Sequence, residues 1–276
     1  MNASFKIRTN DNLQLQGYTY HSSQSPRVVI VHAHGMGEHA SRYEHVANFL
    51  SKKDIAWISM DHRGHGLSEG RRGHAPNYEA LMNDVLLLHQ EAVKTYPNTP
   101  IILYGHSMGG NLMLNYLIRM KPEISGAIIT SPYLRLAFEP PGWKVALGKF
   151  SAGIIPTLTQ PTGLDTKALS RDMQVVNDYE NDPLVHDKIS SAFFTCVHAA
   201  GPYAIENASL IQQPVLLMHG TSDQITSHKA SEELAINNPQ YITLKLWEGL
   251  YHEIHNEPEK EQVLNIMSEW ILSLRL

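Results

Sequence analysis

The stretch Ile101-Ile102-Leu103-Tyr104-Gly105-His106-Ser107-Met108-Gly109-Gly110-Asn111-Leu112 joins a short apolar run to an amphipathic one. Its first four residues have the length and β-branched content of a buried strand. From Leu112 through Tyr116 and Leu117 the apolar positions recur at helical spacing, and Pro122 stops them. Between the two lies Gly-x-Ser-x-Gly. A strand that runs directly into a helix needs a tight turn. The small residues around Ser107 let the two elements approach, and the serine hydroxyl is left projecting at the helix N-terminus. On composition alone these three positions would coincide in roughly one chain in ten of this length, and a serine N-cap in a glycine-rich turn is an ordinary alternative. The strand before the turn and the helix after it favour Ser107 as a nucleophile.

Working outward, the same alternation recurs. Apolar runs suited to buried parallel strands lie at Val28 to His32, Ala56 to Met60, Ala127 to Thr130, Val215 to His219 and Thr243 to Leu246. Helical spacing fills the gaps, as in Leu81, Val85, Leu88 and Ala92 before Tyr96-Pro97. Phe5 to Ile7 and Leu13 to Tyr18 flank the turn Asn10-Asp11-Asn12 and predict an N-terminal hairpin extending the sheet. A final helix is expected over Pro258 to Leu274. The pattern predicts a mostly parallel, eight-stranded sheet with helices on both faces, and ligands in such sheets sit outside the carboxyl ends of the strands. The alternation fails between Tyr133 and Asn207. The expected organisation is a core in two parts, 1–132 and 208–276, with a mainly helical cap, 133–207, inserted between them.

Two further strand ends carry an acid and a base. Asp223 follows the strand at Val215 in His219-Gly220-Thr221-Ser222-Asp223, and His252 follows the strand at Thr243 in Trp247-Glu248-Gly249-Leu250-Tyr251-His252. Each alone is weak, since a turn aspartate is common and His252 is one of 16 histidines. Together with Ser107 they give the order Ser, Asp, His, which is that of an α/β-hydrolase. Asp182 and Glu180 are rival acids but fall in the presumed cap. In the same fold the loop after the first long strand supplies an oxyanion donor. Here that loop is His32-Ala33-His34-Gly35-Met36-Gly37-Glu38-His39, which assigns the backbone N–H groups of Met36 and Met108 to the oxyanion.

The 276 residues suffice for a large core. A net charge of −5 and the lack of any Lys/Arg run leave no footprint for nucleic acid. The single cysteine, Cys196, cannot form an intrachain disulfide and reads as a small buried hydrophobe in a reducing compartment. No metal is expected: His252-Glu253-Ile254-His255 places its histidines at i and i+3, whereas a zinc helix needs i and i+4. His62-Arg63-Gly64-His65-Gly66 reads as a structural turn whose side chains bond to backbone. The N-terminal residues lack an apolar leader and no stretch reaches the length of a membrane span, so a cytoplasmic protein, peripheral at membranes at most, is expected.

At the motif level the chain resembles the monoacylglycerol lipases of the serine-hydrolase lysophospholipase group. The matching stretches are His34-Gly35-Met36-Gly37-Glu38-His39 with Ser41-Arg42-Tyr43, Asp61-His62-Arg63-Gly64-His65-Gly66-Leu67-Ser68-Glu69-Gly70, Gly105 to Gly110, Tyr179-Glu180-Asn181-Asp182-Pro183-Leu184, and Gly249-Leu250-Tyr251-His252. The resemblance implies a cofactor-free hydrolase that takes a small lipid ester and releases glycerol and a fatty acid, with an apolar cap guiding the acyl chain. It further implies that Arg42, His106, Glu139, Tyr179 and His255 hold the glycerol head group. Met36 departs from the alanine frequent in the family; the backbone donor survives, and the bulkier side chain is expected to narrow the acyl pocket. The apolar run Trp143 to Ile155 reads both as an amphipathic helix for transient contact with a membrane surface and as a cap helix packed over the active site. A carboxylesterase or lysophospholipase, an acyltransferase, and a non-catalytic ligand-binding protein on the same fold are the competing functions.

Overall fold

A computed structural model describes residues 3–21, 25–138 and 153–274. The strands begin with β1 (Ala3–Arg8), β2 (Gln14–Tyr20), β3 (Val28–Ala33), β4 (Ile55–Met60), β5 (Ile101–His106) and β6 (Gly126–Thr130). After a two-stranded antiparallel ribbon, β7 (Thr159–Pro161) and β8 (Lys188–Ser190), the main sheet resumes with β9 (Val215–Gly220) and β10 (Ile242–Trp247). The eight-stranded sheet has the order β1-β2-β4-β3-β5-β6-β9-β10. It is parallel from β4 to β10, while β2 runs antiparallel to both β1 and β4. The expected mostly parallel sheet with a hairpin at one edge is therefore present, with strand ends shifted by one to two residues.

Every residue of β3, β4, β5, β6 and β9 is buried. Their sequences read as unbroken apolar runs because helices cover both faces. The α-helices described from end to end are α1 (Glu44–Ser51), α2 (Tyr78–Thr95), α3 (Met108–Met120), α4 (Met173–Asn181), α5 (Ser191–Glu206), α6 (His228–Asn237) and α7 (Lys260–Ser273). On one face Leu81, Val85 and Leu88 of α2 pack with Leu112 and Tyr116 of α3 against Val29, Val31 and Leu103. On the other, Val46 and Leu50 of α1 pack with Val263 and Met267 of α7 against Ile30, Ile102 and Leu216. Alternate residues of one strand thus feed two separate cores.

The parallel register brings Ala33, Gly105 and Thr130 to a common edge, with Gly220 and Trp247 paired further along. The loops carrying Gly35, Ser107, Asp223 and His252 all leave from this carboxyl edge. Above it lie β7, β8 and α4, while α5 packs against α3 and α6. The turn at His62 behaves as expected: His62 Nε2 donates to the His34 carbonyl at 3.1 Å and His65 Nδ1 to the Arg63 carbonyl at 3.0 Å. Arg63 itself forks onto Asp84 at 2.6 and 2.8 Å in the core. Glu139 and, of the run from Trp143 to Ile155, the part from Trp143 to Ala152 lie outside the described residues; at that run's end Ile154 and Ile155 are exposed. Among the described residues, no helix is long and apolar enough to cross a membrane.

Candidate active site

Ser107 sits between β5 and α3 with φ 53° and ψ −117°, a conformation that L residues rarely adopt. Such backbone costs on the order of 1–3 kcal/mol and persists only where the surroundings impose it. Here the Ser107 N–H donates to the Thr130 carbonyl at 3.0 Å, and its own carbonyl accepts from Tyr133 at 2.9 Å and Asn111 at 3.0 Å. The flanking glycines have a steric reason. A Cβ on Gly109 would meet the Ala33 carbonyl oxygen at 2.0 Å, and one on Gly105 the Gly109 oxygen at 2.5 Å.

Asp223 and His252, the expected acid and base, lie in direct contact. His252 Nδ1 donates to Asp223 Oδ2 at 2.7 Å, with both side chains almost fully buried. Asp223 Oδ2 also accepts from His219 Nε2 at 3.0 Å and Thr226 Oγ1 at 2.8 Å, and Oδ1 accepts the backbone N–H groups of Ile225 and Thr226 at 2.8 and 3.0 Å. Burial opposes ionisation of Asp223, but the charge of His252 and the hydrogen bonds from His219 and His252 outweigh it and hold the carboxyl well below its ordinary range. For His252, burial opposes protonation, yet the charge and hydrogen bond of Asp223 prevail and raise it above the usual 6.5. Ser131 Oγ donates to the His252 carbonyl at 2.7 Å and fixes the loop. No hydrogen bond joins Ser107 to His252; both line one cavity, and such contacts in ligand-free enzymes commonly tighten only when substrate binds.

The loop after β3 is held from both sides. His34 Nδ1 donates to the Gly35 carbonyl at 2.8 Å while His34 Nε2 accepts the His62 N–H at 3.0 Å, which defines the tautomer. Glu38 Oε1 accepts the Gly35 N–H at 2.5 Å and the Tyr43 hydroxyl at 2.8 Å. Arg42 joins Glu38 Oε2 at 2.5 Å to Glu253, which it grips at 2.7 and 2.9 Å. Burial and the neighbouring Glu253 raise Glu38 against the pull of Arg42. Burial also works against ionised Glu253, but the Arg42 charge and hydrogen bonds bring it down to about 2.

Ser107, His252, Met36, Met108, His106 and Tyr179 line a cavity of about 360 Å³, within the roughly 300–1,000 Å³ common for small-molecule sites. Its walls are largely apolar, with Leu136, Phe138, Leu164, Leu169 and Phe194, and its polar end holds Glu38, Tyr179 and Glu253. Arg42 and His255 do not line it. His255 is fully buried, stacked on Tyr43 at 4.7 Å, and neither ring nitrogen has a partner among the described residues. His106 lies 4.7 Å from the His252 ring and bonds Thr130 Oγ1 at 3.0 Å. The rival acids are engaged elsewhere: Asp182 with His39 at 2.8 Å, Glu180 with Thr166 at 2.5 Å. Cys196 is half-buried, its thiol donating to the Phe193 carbonyl. Among the described residues no group of three or more His, Cys, Asp or Glu could hold a metal ion. Sequence reasoning gave no role to Glu38, Glu253, His219, Thr226 or Ser131. Adjacency to His252 was the one signal for Glu253, and Glu38 stood inside a quoted motif.

This fold and this arrangement of serine, histidine and aspartate define an α/β-hydrolase. The family described as serine aminopeptidase, S33, matches residues 24–259. A monoacylglycerol lipase of Mycolicibacterium smegmatis is 34% identical over 251 residues, covering 90% of this chain and 89% of that one. An uncharacterized abhydrolase domain-containing protein of Dictyostelium discoideum is 37% identical over 268 residues; the chain spans 28% of that relative's length. The crystal structure of the Paleococcus ferrophilus monoacylglycerol lipase superposes with a TM-score of 0.87 at 33% identity, covering 94% of this chain and 98% of that one. The chain belongs to this S33 family, among its monoglyceride lipase-like serine hydrolases, a group of carboxylic ester hydrolases.

Proposed function

We propose that the protein hydrolyses monoacylglycerols to glycerol and free fatty acid through an acyl-enzyme on Ser107. The observation that carries this reading is that His252, held by Asp223, lines the same largely apolar cavity as the strained Ser107. In this mechanism His252 Nε2 takes the Ser107 proton as Oγ attacks the ester carbonyl. Asp223 holds the imidazole tautomer and stabilises the imidazolium. The Met36 and Met108 amides receive the oxyanion. Collapse expels glycerol, protonated by His252, and water activated by the same imidazole releases the fatty acid. The apolar wall suits an acyl chain, and the end bearing Glu38, Tyr179 and Glu253 suits hydroxyl groups. The cap, 133–207, passes the acyl chain from a lipid surface into the cavity, with exposed Ile154 and Ile155 available for transient membrane contact.

The test is fatty-acid release from a chain-length series of monoacylglycerols, set beside a lysophospholipid and an aryl ester. Preference for monoacylglycerol is expected, and cleavage of the other esters alone would discard the substrate. The pH profile follows from His252. A general base must be unprotonated, and Asp223 raises the pKa of His252 above 6.5. The kcat/KM is therefore expected to fall as pH drops through a midpoint above 6.5, with activity retained on the alkaline side. A midpoint at or below 6.5 would contradict that pairing.

A further inference from the structure

We propose that Arg42 is a positioning residue, clamping the oxyanion loop to the base-bearing loop through Glu38 and Glu253, rather than a contact for the glycerol head. This rests on the reading of Ser107, Met36 and His252 given above.

The Met36 N–H and the Gly35 carbonyl belong to one peptide unit. That unit is held by its carbonyl, on His34, and the preceding one by the Gly35 N–H, on Glu38. Glu38 is itself held by Arg42, whose two Nη atoms fork onto the two oxygens of Glu253, the residue following His252. Gly35 and His252 are thereby joined through three side chains, each at most 10% exposed. A buried carboxylate–guanidinium fork fixes direction as well as distance. The fork uses both Nη atoms of Arg42, and the face of its guanidinium lies 4.7 Å from the Tyr179 ring. Its main polar contacts are satisfied inside the protein, and it does not line the cavity.

The two roles give different kinetics. A residue that grips glycerol binds ground state and transition state alike and is read in KM, on glycerol esters alone. A residue that aims an oxyanion donor acts in the transition state and is read in kcat, on any ester. Misplacement by about 1 Å can cost on the order of 10²-fold in rate.

The experiment compares Arg42→Lys, which keeps the buried cation but loses the fork, and Glu253→Gln, which keeps the volume, on a monoacylglycerol and on an aryl ester without glycerol. Both variants are expected to lower kcat about tenfold or more on both substrates, by similar factors, and Arg42→Lys, whose side chain does not line the cavity, to keep KM within about twofold of wild type on each. Loss confined to the glycerol ester, or a rise in KM alone, would overturn the proposal. So would unchanged kcat accompanied only by a lower unfolding temperature. Ser107→Ala is run alongside: wild-type turnover in that variant defeats the catalytic reading itself, whereas its loss with unaltered kcat in the clamp variants defeats the clamp alone.

Discussion

Replacing Ser107 by alanine is expected to lower ester hydrolysis by on the order of 10⁶-fold in kcat, because the nucleophile and base act as a unit and the loss of one forfeits nearly all that the set provides. The residual rate over water, roughly 10³–10⁴-fold, would come from the oxyanion donors and substrate binding. The side chain removed is small, and the Ser107 backbone is held by hydrogen bonds from Tyr133 and Asn111 and to Thr130 that alanine retains. The variant should therefore fold and still bind substrate. Fatty-acid release at saturating monoacylglycerol measures this directly, and a rate within tenfold of wild type would remove Ser107 from the mechanism.

Asp223→Asn is expected to cost about 10⁴-fold in kcat. Asp223 Oδ2 accepts from both His252 and His219. An amide there can place its NH₂ against His252 Nδ1, which turns the imidazole to the wrong tautomer. The same change should move the acid limb of the pH profile. In the wild type, burial opposes protonation of His252, and the Asp223 charge overrides it. Without that charge burial, the largest influence, is opposed only by the weaker pull of Glu253 and Glu38, so the midpoint should shift to lower pH even as the maximal rate collapses. Small loss of kcat, or an acid limb that stays above 6.5, would show that the carboxylate is not the partner of the base.

The sheet was legible because its central strands are buried on both faces and read as apolar runs. The positions of Ser107, Asp223 and His252, the proposed nucleophile, acid and base, were legible because each follows such a run in a fixed order. The strand ends were less sharp. Tyr20 extends β2 beyond Tyr18 because it pairs with Trp57 in the sheet, a long-range partner that local pattern does not encode. The clamp was not legible for the same reason: Arg42 and Glu253 are 211 residues apart. Resemblance assigned Arg42 a role from its motif, whereas its hydrogen bonds run to carboxylates within the protein. His219 is the penultimate residue of β9, and its sequence says nothing of the bond to Asp223, four residues on in the loop that follows.

The central claim is that Ser107 is the nucleophile, and covalent trapping tests it most directly. Wild-type protein treated with a long-chain alkyl fluorophosphonate, digested and analysed by mass spectrometry, should carry one phosphonyl group on the peptide containing Ser107, with activity lost in step with labelling. Ser107→Ala should remain unlabelled. Labelling at another residue, or equal labelling of the variant, would contradict the assignment.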